Sequence, residues 1–383
     1  MKGFGPLAES NFDRLQALRK AGEPLLDVKI PPHYRILVER EIELLGRIDG
    51  PLYSIVAPRS DRFDHSTEGV PNFVDDFGHM PNGLEHIVVH RYPRKLLYFP
   101  TQFCIGHCQY CFRPDITALE AKRKREINGV SPKVLQSVQK YLLAHPQVRE
   151  VIFSGGDPLA CSVEDVELAL TCFLEVPSVK SIRFHTKAPV FSPSIVTQAW
   201  IDLLTKYKIR LVLHIVHPYE LCEVTTSVIE RLHRAGIALY NQAPLLRGVN
   251  DHPAVIMELL YRGAEIGIQP LTFFVADPIR YGESYRIRLD RVYRLVDEVF
   301  LRGEAWISNF RVCLDTPIGK VKEAHIVHSD RDSDYYVFER DGQRISYAGI
   351  PRQLDKPTPL QDLLYNGASF VDMADWRDMP SFV

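Results

Sequence analysis

The chain has 383 residues, 45% hydrophobic and 25% charged, a composition that excludes a disordered polymer and suits one large α/β domain with appendages. Its 46 basic and 48 acidic residues leave a formal charge of −2, which gives no general reason to expect a nucleic acid or an acidic membrane as partner. No run of 18 or more apolar residues occurs, and the first twenty residues lack the apolar stretch of a secretory signal, so a small-molecule ligand, no membrane contact and a cytoplasmic location are expected.

Residues 1–85 carry helical patches at Asn11–Lys20 and Tyr34–Leu45 between Pro- and Gly-rich connections, and read as a helical N-terminal extension. From residue 86 short apolar runs alternate with longer amphipathic segments. The predicted strands are Leu96–Phe103, Val148–Phe153, Ser181–His185, Arg210–Ile215, Ala238–Gln242 and Ile268–Val275. Between them lie predicted helices at Ser131–Ala144, Ser162–Phe173, Ser194–Tyr207, Thr226–Ala235 and Ala254–Gly263. Six such units predict an α/β fold, an incomplete parallel (β/α)6 barrel over residues 86–320, with its chemistry at the C-terminal ends of the strands. Residues 321–383 change to short β-prone runs around an Asp341-Gly342 turn signal, then a polar tail. This small C-terminal β-containing appendage, including Tyr347 and Pro351, is expected to cover the site or to mediate subunit contacts.

Four of the seven cysteines (Cys161, Cys172, Cys222, Cys313) are scattered singly and read as small buried hydrophobes. The other three, Cys104, Cys108 and Cys111, spell C-x3-C-x2-C directly after the first predicted barrel strand. Three thiolates on one tight loop suit a [4Fe–4S] cubane, with a fourth protein ligand missing locally. The open iron can chelate the amino and carboxylate groups of S-adenosylmethionine (SAM), and an electron delivered there cleaves the sulfonium to a 5′-deoxyadenosyl radical. A structural zinc site is the alternative, but zinc usually takes four closed ligands, and His107 sits inside the loop where a tetrahedron is hard to build. One βα unit later, Ser154-Gly155-Gly156-Asp157-Pro158 follows a predicted strand. Two glycines there permit close backbone approach, and Asp157 offers an acceptor for an amino group. This segment resembles the element that meets the methionyl amine of SAM in radical SAM enzymes.

Several separated motifs narrow the resemblance. Arg91-Tyr92-Pro93 lies 13 residues before Cys104, Arg113 lies two past Cys111, and Asn241-Gln242 precedes Leu245-Leu246-Arg247-Gly248-Val249-Asn250-Asp251. From about residue 86 to 350 the chain resembles the lysine 2,3-aminomutase family, which uses SAM together with pyridoxal 5′-phosphate (PLP). The resemblance implies that Arg91, Tyr92 and Lys95 hold the PLP phosphate, with Lys95 replacing the usual arginine and losing its bidentate fork. It implies that Arg113 clamps the substrate α-carboxylate, that Ser154, Gly155, Gly156, Asp157 and Gln242 contact SAM, and that Asp277 and Asp315 grip a distal ammonium. Tyr110 stands where the family usually has histidine.

The family's PLP lysine follows an aspartate, a proline and a glycine run. Here Asp315-Thr316-Pro317-Ile318-Gly319-Lys320-Val321-Lys322 keeps one glycine, and two lysines compete. The local Gly-Lys-apolar pattern favours Lys320; counting seven residues from Asp315 favours Lys322. The function implied is a 2,3-aminomutase moving the α-amino group of a basic L-amino acid, lysine first and arginine next, to the β-carbon. An electron donor such as flavodoxin or ferredoxin and a homo-oligomer are implied with it. No cysteine follows Cys313, so no tail zinc is expected. A radical SAM enzyme that has lost PLP and a non-catalytic iron–sulfur sensor are the alternative readings.

Overall fold

Two helices open the chain, Pro6–Lys20 (α1) and Pro32–Leu45 (α2), each with proline in its first turn, where the missing N–H has no intrahelical acceptor to lose. Gly46, in the left-handed region at φ 66°, ends α2. The buried Glu41 carboxylate accepts from Leu52 N (2.8 Å) and Tyr53 N (2.7 Å), capping the short helix Pro51–Val56 (α3). The computed structural model describes residues 4–64, 69–70, 72–117 and 127–376.

A nine-stranded sheet follows, ordered β1 to β9 as in the chain. Val88–Tyr92 (β1) pairs antiparallel with Lys95–Thr101 (β2). Glu150–Gly155 (β3), Ser181–Thr186 (β4), Arg210–Leu213 (β5), Leu239–Leu245 (β6), Ile268–Val275 (β7) and Arg311–Thr316 (β8) then continue parallel to β2 and to one another. Gly319–Val321 (β9) turns back antiparallel on β8. The crossover helices are Pro132–Ala144 (α4), Val163–Leu174 (α5), Gln198–Lys206 (α6), Glu223–Arg234 (α7), Pro253–Glu265 (α8) and Leu289–Arg302 (α9).

The curled half-barrel expected from the sequence is present, and its six predicted strands correspond to β2–β7. One further parallel unit, α9 with β8, lies beyond them. The buried Leu289, Val292, Leu295, Val296 and Val299 of α9 recur at helical spacing, whereas β8 is short and begins on an exposed arginine. The predicted helix Ser194–Tyr207 is broken: Pro193–Ile195 forms a separate 3₁₀ turn before α6. Cys313 is buried as expected, while Cys161, Cys172 and Cys222 are half-buried.

Between the sheet and α5, Phe153 stacks on Phe184 (4.7 Å) and meets Tyr98 edge-on (4.9 Å), and Tyr98 meets Phe173 at 4.8 Å; all four are fully buried. Beyond β9, Ile326–Asp330 (β10), Tyr335–Arg340 (β11) and Gln343–Ala348 (β12) form a separate antiparallel sheet. Its β11–β12 turn is Asp341-Gly342, both with positive φ, as the two-residue turn signal predicts. Among the described residues no helix is long and apolar enough to cross a membrane.

The tail is fastened to the barrel by Arg291 of α9, whose buried guanidinium bridges Asp251 (3.1 Å) and Asp355. Arg291→Met leaves two buried carboxylates uncompensated and is expected to lower stability by about 3–5 kcal/mol, read from urea unfolding at neutral pH.

Candidate active site

One cavity of about 940 Å³ lies at the C-terminal ends of the parallel strands, and every site residue expected from the sequence is on its wall. Cys104, Cys108 and Cys111 enter on the loop after β2. The N-terminal segment holds that loop: Lys29 Nζ donates to Cys104 O (2.6 Å), His107 N to Lys29 O (3.0 Å) and Gln109 N to Ile55 O (2.8 Å). His107 turns its Nδ1 to Asp27 O at 2.9 Å. The connection between α1 and α2, with α3, therefore forms the outer brace of the cysteine loop, a role its sequence does not announce.

At the end of β3, Ser154, Gly155 and the following Gly156 pack against β2 and this loop. A Cβ on Gly155 would lie 2.7 Å from the Phe99 side chain, and one on Gly156 would lie 2.1 Å from the Phe103 carbonyl oxygen. The glycines are thus required by packing against β2 and its loop. Asp157 is committed to the protein: its Oδ1 accepts from Leu159 N (3.0 Å) and Thr186 Oγ1 (2.7 Å), its Oδ2 from Thr186 Oγ1 (2.9 Å) and Lys187 N (2.9 Å). It ties the ends of β3 and β4 together, so an amine meeting this segment faces the Ser154–Gly156 backbone rather than a spare Asp157 oxygen. Asn241 is similarly engaged, with both its amide groups on the Ile215 backbone at 2.9 Å. Gln242 points Nε2 at His214 Nε2 (2.9 Å) and His185 Nδ1 (3.2 Å). Asn250 and Asp251 of the Leu-Leu-Arg-Gly-Val-Asn-Asp segment bond within the fold.

At the other end of the cavity Arg91 of β1 donates from Nη1 to Asp315 Oδ1 of β8 at 3.0 Å. Its Nε and Nη2, and the Tyr92 hydroxyl, are buried without a hydrogen-bond partner. Lys320 on β9 faces Asp315 across the register, with Nζ 3.7 Å from Asp315 Oδ2 and 4.3 Å from the Phe274 ring centre. Lys322 lies just past β9 and also lines the cavity. Arg113 is held through Nε by Asp76 (2.5 Å) and lies over Phe112 (4.2 Å). Asp277, after β7, has its Oδ1 buried and unpartnered; burial and the neighbouring Asp315 charge push its carboxyl up to about 8.

Among the lining residues that the sequence does not single out are Asp76, Arg183, His185, His214 and Arg311. Arg183 and Arg311 crowd Lys95, whose pKa burial and Arg183 lower. Inward alternation along the strands is the signal that could have found Arg183 and His185, which share one face of β4.

A model of the radical SAM superfamily matches residues 98–260, a span that begins in β2 and ends in α8. A protein of Aquifex aeolicus (strain VF5) provisionally named an L-lysine 2,3-aminomutase is 31% identical over 312 residues, 79% of this chain and 78% of that one. The chain belongs to the lysine 2,3-aminomutase family of radical SAM enzymes. The L-lysine 2,3-aminomutase of Escherichia coli (strain K12) is 28% identical over 75% of this chain and 80% of its own, and that of Clostridium subterminale is 30% identical over 56% and 50%.

Membership in this radical SAM family implies a [4Fe–4S] cluster and SAM, and the residues present fit both. Cys104, Cys108 and Cys111, three thiol donors on one short loop, all line the cavity. Burial pushes the Cys108 thiol up to about 12 and raises Cys111, a cost to the thiolate form that a bound cationic cluster would offset. Because Gly156 abuts the Phe103 carbonyl, Gly156→Ala must shift the start of the cysteine loop, where the family implies that SAM binds. A loss of SAM affinity of about a hundredfold is expected in equilibrium binding, with iron content reported alongside.

Proposed function

We propose that this family member is a PLP-dependent 2,3-aminomutase acting on a basic L-amino acid, and that Lys320 is the residue that holds PLP. The observation that carries this reading is the juxtaposition of Lys320 with three buried donors that lack a protein acceptor, Arg91 Nε, Arg91 Nη2 and Tyr92 Oη. Buried donors of this kind are costly unless an anion meets them, and a phosphate beside a lysine amine does so. Lys95 contributes charge to the same end of the cavity.

When bound, the cluster with SAM supplies hydrogen-atom abstraction and PLP supplies delocalisation of the unpaired electron. The chain supplies position and charge. Arg113, oriented by Asp76 and by its contact with Phe112, presents its terminal nitrogens to the α-carboxylate. Asp277 awaits a cation, and its unpartnered oxygen supports a substrate with a distal ammonium or guanidinium. Asp315 is shared between Arg91 and Lys320; once Lys320 is engaged by PLP, Oδ2 is released to face the same cation. The β11–β12 turn, with Arg340 and Asp341 on the cavity wall, narrows access for water. Lys320 is preferred over Lys322 because the tight turn through Pro317 and Ile318, closed by Thr316 Oγ1 on Gly319 O (2.6 Å), fixes Lys320 opposite Asp315.

The reading is tested with anaerobically reconstituted protein, SAM, PLP, a reductant and L-lysine or L-arginine, following β-amino acid by mass spectrometry. Lys320→Ala should abolish both product and the visible absorbance of bound PLP, whereas Lys322→Ala should keep both; the opposite result moves the anchor to Lys322, and deoxyadenosine without any β-amino acid overturns the aminomutase assignment. A pH dependence follows from Asp277. Below about pH 8 its carboxyl is protonated in the free protein, and a cationic substrate binds the ionised form, so affinity should rise about tenfold per pH unit toward pH 8 and then level. Asp277→Asn should weaken binding and flatten the profile.

A further inference from the structure

Three neighbouring strands bring together a hydrogen-bonded set that the roles above use on one side alone. Gln242 of β6 places one amide nitrogen within 2.9 Å of His214 Nε2 and 3.2 Å of His185 Nδ1. An amide nitrogen donates and does not accept, so its two hydrogens go one to each ring, and both of those ring nitrogens carry lone pairs. Both imidazoles are therefore neutral. Burial agrees: it lowers His185 well below the ordinary histidine range, with Arg183, His214, Lys320 and Arg113 adding to the effect, and brings His214 down to about 3. With Nδ1 accepting, the His185 proton sits on Nε2. That atom is buried and has no acceptor among the described residues.

A buried N–H donor on the cavity wall, with cations on several sides, calls for an anionic oxygen. The positive field of Arg113, Arg183 and Lys320 favours a carboxylate over a neutral hydroxyl such as those of the SAM ribose. Arg113 also leaves room for help: Asp76 takes its Nε, and a carboxylate offers about four lone-pair sites, more than one partly engaged guanidinium fills. A neutral imidazole adds a donor there without adding to the crowded positive charge.

We propose that His185 is a substrate-binding residue, donating through Nε2–H to the α-carboxylate of the amino-acid substrate beside Arg113. This rests on the aminomutase reading, from which the role of Arg113 comes. Gln242 is then a positioning residue that fixes the His185 tautomer.

The test uses the reconstituted protein with cluster, PLP and SAM but without reductant, so that binding is read without turnover. Calorimetric titration compares L-lysine and L-arginine with their carboxamides for wild type, His185→Phe and His185→Gln. His185→Phe is expected to weaken binding of the acid about ten- to a hundredfold while the carboxamide, already weaker, changes little. His185→Gln, which keeps a donor, should recover part of the loss, and its iron and PLP content should match wild type. Equal losses for acid and carboxamide, or a loss of SAM affinity with amino-acid binding unchanged, overturn the assignment. Wild-type protein that binds neither amino acid overturns the aminomutase reading itself, and this inference with it.

Discussion

The Arg91–Asp315 ion pair joins the two margins of the open sheet. Arg91 lies on β1, Asp315 on β8 beside the terminal β9, and 224 residues separate them. Parallel strands alone curl the sheet but do not bring its margins into register across the gap. This pair does so beside Lys320 and the unmet Arg91 donors, where the proposed PLP site lies. A partly buried ion pair contributes little net stability, because desolvation offsets most of the Coulomb gain, so its value here lies in position. It also leaves Arg91 with two donors unmet, which makes the closed seam an anion site rather than a finished structural contact.

The opposite end of the cavity is organised by the same economy of partners. Asp157 looks from the sequence like a ligand for SAM, yet its oxygens are filled by Leu159, Thr186 and Lys187. That carboxylate locks the exits of β3 and β4, and Gly155 and Gly156 then fit against Phe99 and Phe103 without room for a Cβ. The cysteine loop is thereby braced from beneath by β3 and from outside by Lys29, Asp27 and Ile55. Rigid placement of this loop matters more than any single contact within it, since distance and orientation govern a reaction in which a hydrogen atom moves between bound partners.

What the sequence disclosed was whatever is encoded by short-range spacing. The C-x3-C-x2-C loop, the Ser-Gly-Gly-Asp-Pro turn, the Asp341-Gly342 hairpin and the six predicted strands each depend on residues within a dozen positions of one another, and each is found where expected. Contacts between distant segments were not legible. Nothing around Asp76 announces that it orients Arg113, and nothing in Arg183 or His185 taken singly distinguishes an inward barrel residue from an outward one until the register of β4 is known. The extra unit of α9 and β8 was missed for a different reason. Its helix has the proper period, but its strand is six residues long and polar at both ends, so in the sequence the βα rhythm stops one repeat early.

The shortened glycine loop shows how a departure in sequence can be absorbed by geometry. A longer, flexible run would let its lysine search for the cofactor. Here two residues, Pro317 and Ile318, connect β8 to β9, Gly319 takes the positive φ of 103° that the reversal needs, and Lys320 emerges directly opposite Asp315. Arg340, reaching in from β11, donates to the Lys320 carbonyl at 2.7 Å and packs against Gly319. Proline removes backbone freedom from the turn, and the register removes the rest. The lysine is thus presented by a fixed hairpin held on both sides, and under the proposed PLP reading little loop ordering is left for binding to supply. The C-terminal sheet is thereby tied to β9, the strand that presents Lys320 to the cavity.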